Sequence, residues 1–127
     1  MGGTDKIFMT RKVIAVVDDL FFASKIRGTG EQVGVTVTFA RNVDVLMEAA
    51  RRDPVSAIIV DLHSQKIDPI SLARSLKDDD QLRLIPLIGF FSHVQVELQQ
   101  AATAAGFDRV MPRSAFVGRL RELLSTD

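Results

Sequence analysis

The sequence predicts an α/β three-layer sandwich around a parallel five-stranded sheet, on three observations. Short apolar runs rich in β-branched residues recur five times, stretches of helical periodicity fill the intervals, and cap and turn residues mark the boundaries. Residues 1–11, with Gly2, Gly3, Thr4 and mixed charges, read as a loose N-terminal leader to a single domain over residues 12–124. Val13-Ile14-Ala15-Val16-Val17 is continuously apolar and β-branched at four of five positions, as a strand covered on both faces requires. Phe22, Ala23, Ile26 and Val33 then fall at helical spacing. Gly28 and Gly30 would each cost this first helix about 1 kcal/mol relative to Ala, so it is expected either to fray or to pack unusually close to a neighbour.

Val35–Phe39, with alternating Thr, is a weaker second strand, and Val43, Leu46, Ala49 and Ala50 define the second helix. The run Val55–Val60 is the third strand. Asp68-Pro69 supplies an N-cap followed by Pro at the first helical position, opening a third helix with Ile70, Leu72, Ala73 and Leu76 on one face. Leu84–Phe91 is the fourth strand, and Val94, Leu98, Ala101, Ala102 and Ala105 share a face of the fourth helix, which Gly106 stops. Phe107–Met111 is a short fifth strand. Ser114 reads as the N-cap of a last helix carrying Phe116, Leu120, Leu123 and Leu124.

Buried strands alternating with helices in (βα)₅ order imply a parallel sheet with right-handed crossovers, which leaves few topologies. The leading one is flavodoxin-like, with strand order 2-1-3-4-5, and it places sites beyond the carboxyl ends of the first and third strands. Composition agrees with one soluble domain: 127 residues, 46% hydrophobic and 25% charged. The absence of Cys excludes disulfides, thiol catalysis and thiolate zinc sites, and suits a cytoplasmic location. Sixteen basic against sixteen acidic residues argue against a nucleic-acid or anionic-membrane surface. The longest apolar run, Leu84–Phe91, contains Pro86 and is too short to cross a bilayer.

The first strand runs into Asp18-Asp19 and the third ends in Asp61, so this topology gathers three carboxylates at one mouth. Taken singly, such aspartates often only cap the following helix. Three together repel one another, raise at least one pKa, and are most readily reconciled by an oxygen-preferring divalent cation such as Mg²⁺.

With these pieces, Val-Ile-Ala-Val-Val-Asp-Asp (13–19), Ala-Ile-Ile-Val-Asp-Leu (57–62) and Ala-Ala-Gly-Phe-Asp-Arg-Val (104–110), the chain resembles the receiver domains of two-component response regulators over about residues 12–124. The resemblance implies that Asp61 accepts a phosphoryl group from a histidine kinase or phosphotransfer protein. It further implies that Asp18, Asp19, Asp61 and the backbone carbonyl of His63 hold Mg²⁺. A cation there would align donor and carboxylate and neutralise developing charge.

The departures matter as much. Ser64-Gln65 and Pro69 replace the family's usual loop, so the segment after the acceptor is rebuilt. The position at which the family carries Thr or Ser after the fourth strand holds Phe91, with Ser92 one place late as the candidate hydroxyl. Arg113-Ser114 stands where the family has Lys-Pro, with Pro112 moved ahead, and the switch aromatic is replaced by Val110. Arg keeps the charge but is longer and presents a planar fork. Two readings follow. The first is a stand-alone receiver that is phosphorylated at Asp61 and signals through altered protein binding. The second is an atypical receiver that binds a partner without phosphorylation. Either uses contact as output, because the pattern occupies nearly all of these 127 residues. The resemblance points to the face of the fourth helix, fifth strand and fifth helix, with His93, Gln95, Gln99, Arg109 and Arg119, for docking to an output protein or homodimerisation.

His63 and His93, the only histidines, fall at the rim of the mouth, where they suit either loop residues without a special task or a transition-metal site with the aspartates. Phe22 is expected in the core and Phe21 near the site. Asp78-Asp79-Asp80 and Arg51-Arg52 read as a solvated loop and a helix C-terminus. Enzyme readings fit poorly. A haloacid-dehalogenase-type phosphatase needs a second Asp where His63 stands, no Walker A or Gly-x-Gly-x-x-Gly motif is present, and the adjacent Ser92 and His93 point different ways.

Overall fold

The computed structural model describes residues 11–125. The expected leader therefore lies outside the described residues apart from Arg11, which already pairs with Val35 in the sheet. The strands are β1 (Arg11–Val16), β2 (Val35–Phe39), β3 (Ala57–Asp61), β4 (Leu87–Phe91) and β5 (Arg109–Pro112). They form one parallel sheet in the order β2-β1-β3-β4-β5, as the alternating pattern implied. The helices are α1 (Leu20–Gln32), α2 (Val43–Arg52), α3 (Pro69–Lys77), α4 (Val96–Ala105), α5 (Arg113–Gly118) and α6 (Leu120–Ser125).

Successive strand residues face opposite sides of a sheet, and here both sides are covered. Ile14, Val16, Ile58 and Val60 pack with Leu46, Leu72, Leu76 and Ala102 of α2, α3 and α4. Val13, Ala15, Ile59 and Phe90 pack on the other side with Phe22, Ile26, Phe116 and Leu124 of α1, α5 and α6. Continuous apolar runs are the sequence record of that double burial. No helix among the described residues is long and apolar enough to cross a membrane.

The first helix does not fray. It runs 13 residues, and Gly30 is buried where a Cβ would stand 2.8 Å from Val37 Cγ2 and 2.9 Å from the Val35 carbonyl oxygen. Glycine at that point lets α1 lie directly on β2. Gly106 closes α4 at φ +120°, a backbone conformation that a side chain disfavours.

Four sequence expectations need correction. Ser114 is not an N-cap, because the last helical segment opens one residue earlier at Arg113, after Pro112, and no side chain caps it. That segment also breaks at Arg119, whose N–H donates to the carbonyls of Ala115 and Phe116, which separates α5 from α6. Val94 is not on the buried face of α4: the helix begins at Val96, and Val94 is 78% exposed. Similarly, β4 begins only at Leu87. Pro86 has no N–H to give a ladder, and Leu84 beyond it is 85% exposed.

Candidate functional site

Two of the three strand-end carboxylates stand just past β1 and the third closes β3. Asp61 is half-buried; its Oδ1 accepts a hydrogen bond from the His63 backbone N–H at 2.8 Å, and Oδ2 accepts none among the described residues. Burial pushes its pKa up, while the His63 amide and the charges of His63 and Arg113 oppose the shift and the nearby Asp18 adds to it. The mouth therefore makes the charged form of Asp61 less favourable than it is for a solvated aspartate.

Asp18 is held by the loop between β3 and α3. Its Oδ1 accepts from Ser64 Oγ at 2.9 Å and its Oδ2 from the Gln65 N–H at 2.8 Å. Ser64 Oγ in turn accepts from the Lys66 N–H at 3.3 Å, so one hydroxyl ties the loop to itself and to β1. Asp19 is the N-cap of α1 and accepts from the N–H groups of Phe21 at 2.9 Å and Phe22 at 3.2 Å. The Phe22 amide foremost, then that of Phe21 and the Arg113 guanidinium, hold its pKa below the ordinary value against some desolvation.

Arg113 is the cation of this mouth. It sits at the start of α5, its Nη2 reaches Asp19 Oδ2 at 3.4 Å, and its Cζ lies 3.9 Å above the centroid of the Phe22 ring. Phe22 packs edge-on against Phe90 at 5.1 Å, and Phe90 stacks on Phe116 at 4.7 Å. Phe90 is also the register partner of Asp61. An aromatic column thus runs from the guanidinium into the core beside the candidate acceptor.

The structure brings Asp18, Asp19, Asp61 and Arg113 around one mouth but does not assemble the expected metal centre. Among the described residues no group of three or more His, Asp or Glu side chains is placed to hold a metal ion. The cause is visible: Asp18 is turned to Ser64 and Gln65, and Asp19 to its helix and to Arg113. The donor set is the oxygen chemistry Mg²⁺ prefers, but with Asp18 and Asp19 so engaged the three carboxylates do not converge on one point as placed. His63, expected to offer its carbonyl, engages Asp61 through its N–H. Ser92 is exposed past β4 and donates no hydrogen bond to Asp61, while Phe91 at the hydroxyl position is 6% exposed in the core.

The two histidines do meet, with ring centroids 5.5 Å apart and the His93 backbone N–H donating to His63 Nε2 at 3.4 Å. That bond uses one of the four ring nitrogens of the pair. Phe21 is 91% exposed and Phe22 4%, as their consecutive helical positions required. Asp79 pairs with Arg51 and caps its own turn through the Gln81 N–H, away from the mouth. Sequence reasoning missed Ser64 as the partner of Asp18. Its only signal was the rebuilt loop.

No protein-family model and no curated protein sequence matches the chain. Solved structures do. The receiver domain of sensor histidine kinase PA1611 from Pseudomonas aeruginosa PAO1, with a magnesium ion coordinated in its active-site cleft, aligns at TM-score 0.75 and 18% identity over 92% of this chain and 98% of that one. The chemotaxis response regulator CheY4 of Vibrio cholerae aligns at TM-score 0.73 and 18% identity, covering 91% and 99%. A response regulator from Chloroflexus aurantiacus aligns at 0.76 and 17%, covering 91% and 98%. The chain therefore has the fold of the response regulator receiver domains, in the strand order the sequence predicted.

Proposed function

We propose that this chain is a receiver-fold signalling module that works by binding a partner protein, in the cytoplasm, with neither Mg²⁺ nor a phosphoryl group required at Asp61, and that it is not an enzyme. The observation that carries this reading is the internal cation: Arg113 lies against Asp19 while the β3–α3 loop closes on Asp18. Both carboxylates that would recruit a metal already have partners supplied by the chain. The docking face is the side of α4, β5 and α5. His93, Gln95, Arg109 and Arg119 are exposed there, Gln99 is partly exposed, and Val94 and Val96 add 78% and 59% exposed apolar surface nearby. An output protein or a second copy of the chain is the partner this face would take.

One observation favours the other reading, a phosphoacceptor served by a histidine kinase or phosphotransfer protein. Asp61 stands at the end of β3 with an oxygen free of hydrogen bonds among the described residues, as a nucleophile needs. Magnesium, which the P. aeruginosa receiver holds, would then require Asp18 and Asp19 to leave their present partners. Beryllofluoride or acetyl phosphate with Mg²⁺, followed by amide NMR on the wild type and on Asp61→Asn, separates the two. Unchanged spectra in both are expected; shifts around Asp61 in the wild type that vanish in Asp61→Asn would overturn the phosphorylation-independent reading.

A further inference from the structure

A second concavity opens beside the carboxylate mouth, at the carboxyl ends of β1 and β2. Its volume is about 720 Å³, within the size range of small-ligand sites. Val17, Leu20, Ala23, Val37 and Phe39 give it an apolar wall, and the charged side chains that line it are all cationic: Arg27 from α1, Arg41 from the β2–α2 connection and Lys66 from the β3–α3 loop.

Three features make this more than a basic surface. No Asp or Glu lines the cavity, and none of the three cations forms an ion pair among the described residues. This contrasts with the rest of a chain in which sixteen basic residues balance sixteen acidic ones. The nearby Asp18 and Asp19 are engaged with Ser64, Gln65 and Arg113. The Arg27 guanidinium lies 4.9 Å from the Phe39 ring centroid, which fixes a flat cationic surface in the wall. Leu20 is 80% exposed although it opens α1, so the wall keeps an unburied apolar side chain for a ligand to cover.

We infer that this cavity binds a compact organic phosphate carrying a planar ring. Arg41 and Lys66 supply the two charges a phosphate accepts from, and the Arg27–Phe39 platform with Leu20 supplies stacking and apolar cover. The site is separate from the docking face of α4, β5 and α5, and it stands or falls independently of what happens at Asp61. The β3–α3 loop connects them, because Lys66 follows directly on the Ser64-Gln65 pair that holds Asp18. A phosphate held by Lys66 would therefore brace that loop in its closed position.

The test is amide NMR on the full chain with AMP, adenosine and inorganic phosphate as separate probes. AMP should shift the amides of Leu20, Thr38, Phe39, Arg41 and Lys66, and bind about tenfold more tightly than either fragment. Arg41→Gln with Lys66→Gln should weaken AMP about tenfold or more, and Arg119→Gln on the far side should change nothing. All three positions are exposed, and the dispersion of each spectrum reports that the variant is folded. The inference is overturned if AMP binds no better than phosphate, if its shifts map elsewhere, or if the double variant binds as the wild type does.

Discussion

Gly28 and Gly30 sit two residues apart on one helix, and replacing each with Ala should move stability in opposite directions. In a helix interior Ala is favoured over Gly by about 0.5–1 kcal/mol, and that gain is common to both sites. At Gly28 a Cβ meets nothing within 4 Å, so Gly28→Ala should keep the gain. At Gly30 the same atom would stand 2.8 Å from Val37 Cγ2 and 2.9 Å from the Val35 carbonyl oxygen. The methyl can turn aside, but the oxygen belongs to the β2 backbone, in the segment that pairs with β1. Overpacking of this kind costs about 1–3 kcal/mol. Propensity cancels between the two variants, so Gly30→Ala should lie about 1–3 kcal/mol below Gly28→Ala. Urea unfolding of both, compared at equal m-values, measures the difference. Equal midpoints, or a more stable Gly30→Ala, would refute the close seating of α1 on β2. The consequence reaches function, since α1 carries the Asp19 cap and the Leu20, Ala23 and Arg27 wall of the phosphate cavity.

Phe116→Ala should destabilise by about 3–5 kcal/mol, because a fully buried ring stacked at 4.7 Å on Phe90 leaves a void in the aromatic column; thermal unfolding followed by circular dichroism tests this. Asp61 sets a pH dependence of known sign. Its folded pKa is raised above the ordinary 3.8, so the native state binds more protons than the unfolded one, and the contribution present below 3.8 is lost as pH rises through the folded value. Asp61→Asn removes that loss while keeping an acceptor for the His63 amide. Its stability advantage over wild type in urea should grow as pH rises from about 4 through the folded pKa and then level off, and a flat difference contradicts a raised pKa. The double variant Arg113→Gln, Ser64→Ala removes the side-chain partner of each recruiting carboxylate, leaving only backbone amides on them. Mn²⁺ should then broaden amides around Asp61 at concentrations that leave the wild type untouched, and equal broadening in both proteins would show that internal partners do not keep the metal out.

Strand order and core were legible because a doubly covered parallel sheet is written as continuous apolar runs, and β1 and β3 needed nothing more. Boundaries were less so where apolarity and secondary structure part company. Leu84 and Val94 are apolar yet exposed, one ahead of Pro86 and one ahead of the Val96 helix start. The N-terminus of α5 was misplaced because Ser114 is a good cap by residue type, whereas the chain enters the helix after Pro112, whose φ of −63° already suits the turn. At the mouth, the types of residue were readable and their directions were not. Asp19 can serve a helix or a cation, and nothing in its neighbours' names says that the amides of Phe21 and Phe22 take it first.

Three carboxylates at one mouth call for a cation, and the sequence held the candidate without showing its reach. A Lys at position 113 would offer a single hydrated charge on a flexible stem. The Arg that is present has a flat guanidinium, and flatness is what lets it lie 3.9 Å above Phe22 while one nitrogen turns to Asp19. Because Phe22 is seated on Phe90 and Phe116, the guanidinium's position is tied to the packing of the α1–α5 side of the core. Its position also has an electrostatic reason: at the N-terminal end of α5 a cation faces the positive pole of the helix dipole and gains by leaning away toward a carboxylate. Phe91 and Arg113, the two places where the resemblance to receiver domains would lead one to expect Thr or Ser and Lys, thus share one physical sense under the proposed function. Phe91 is buried and Arg113 is drawn to Asp19, so under that proposal these two positions serve packing and pairing, and a fixed binding surface, more than a switch, is what they would support.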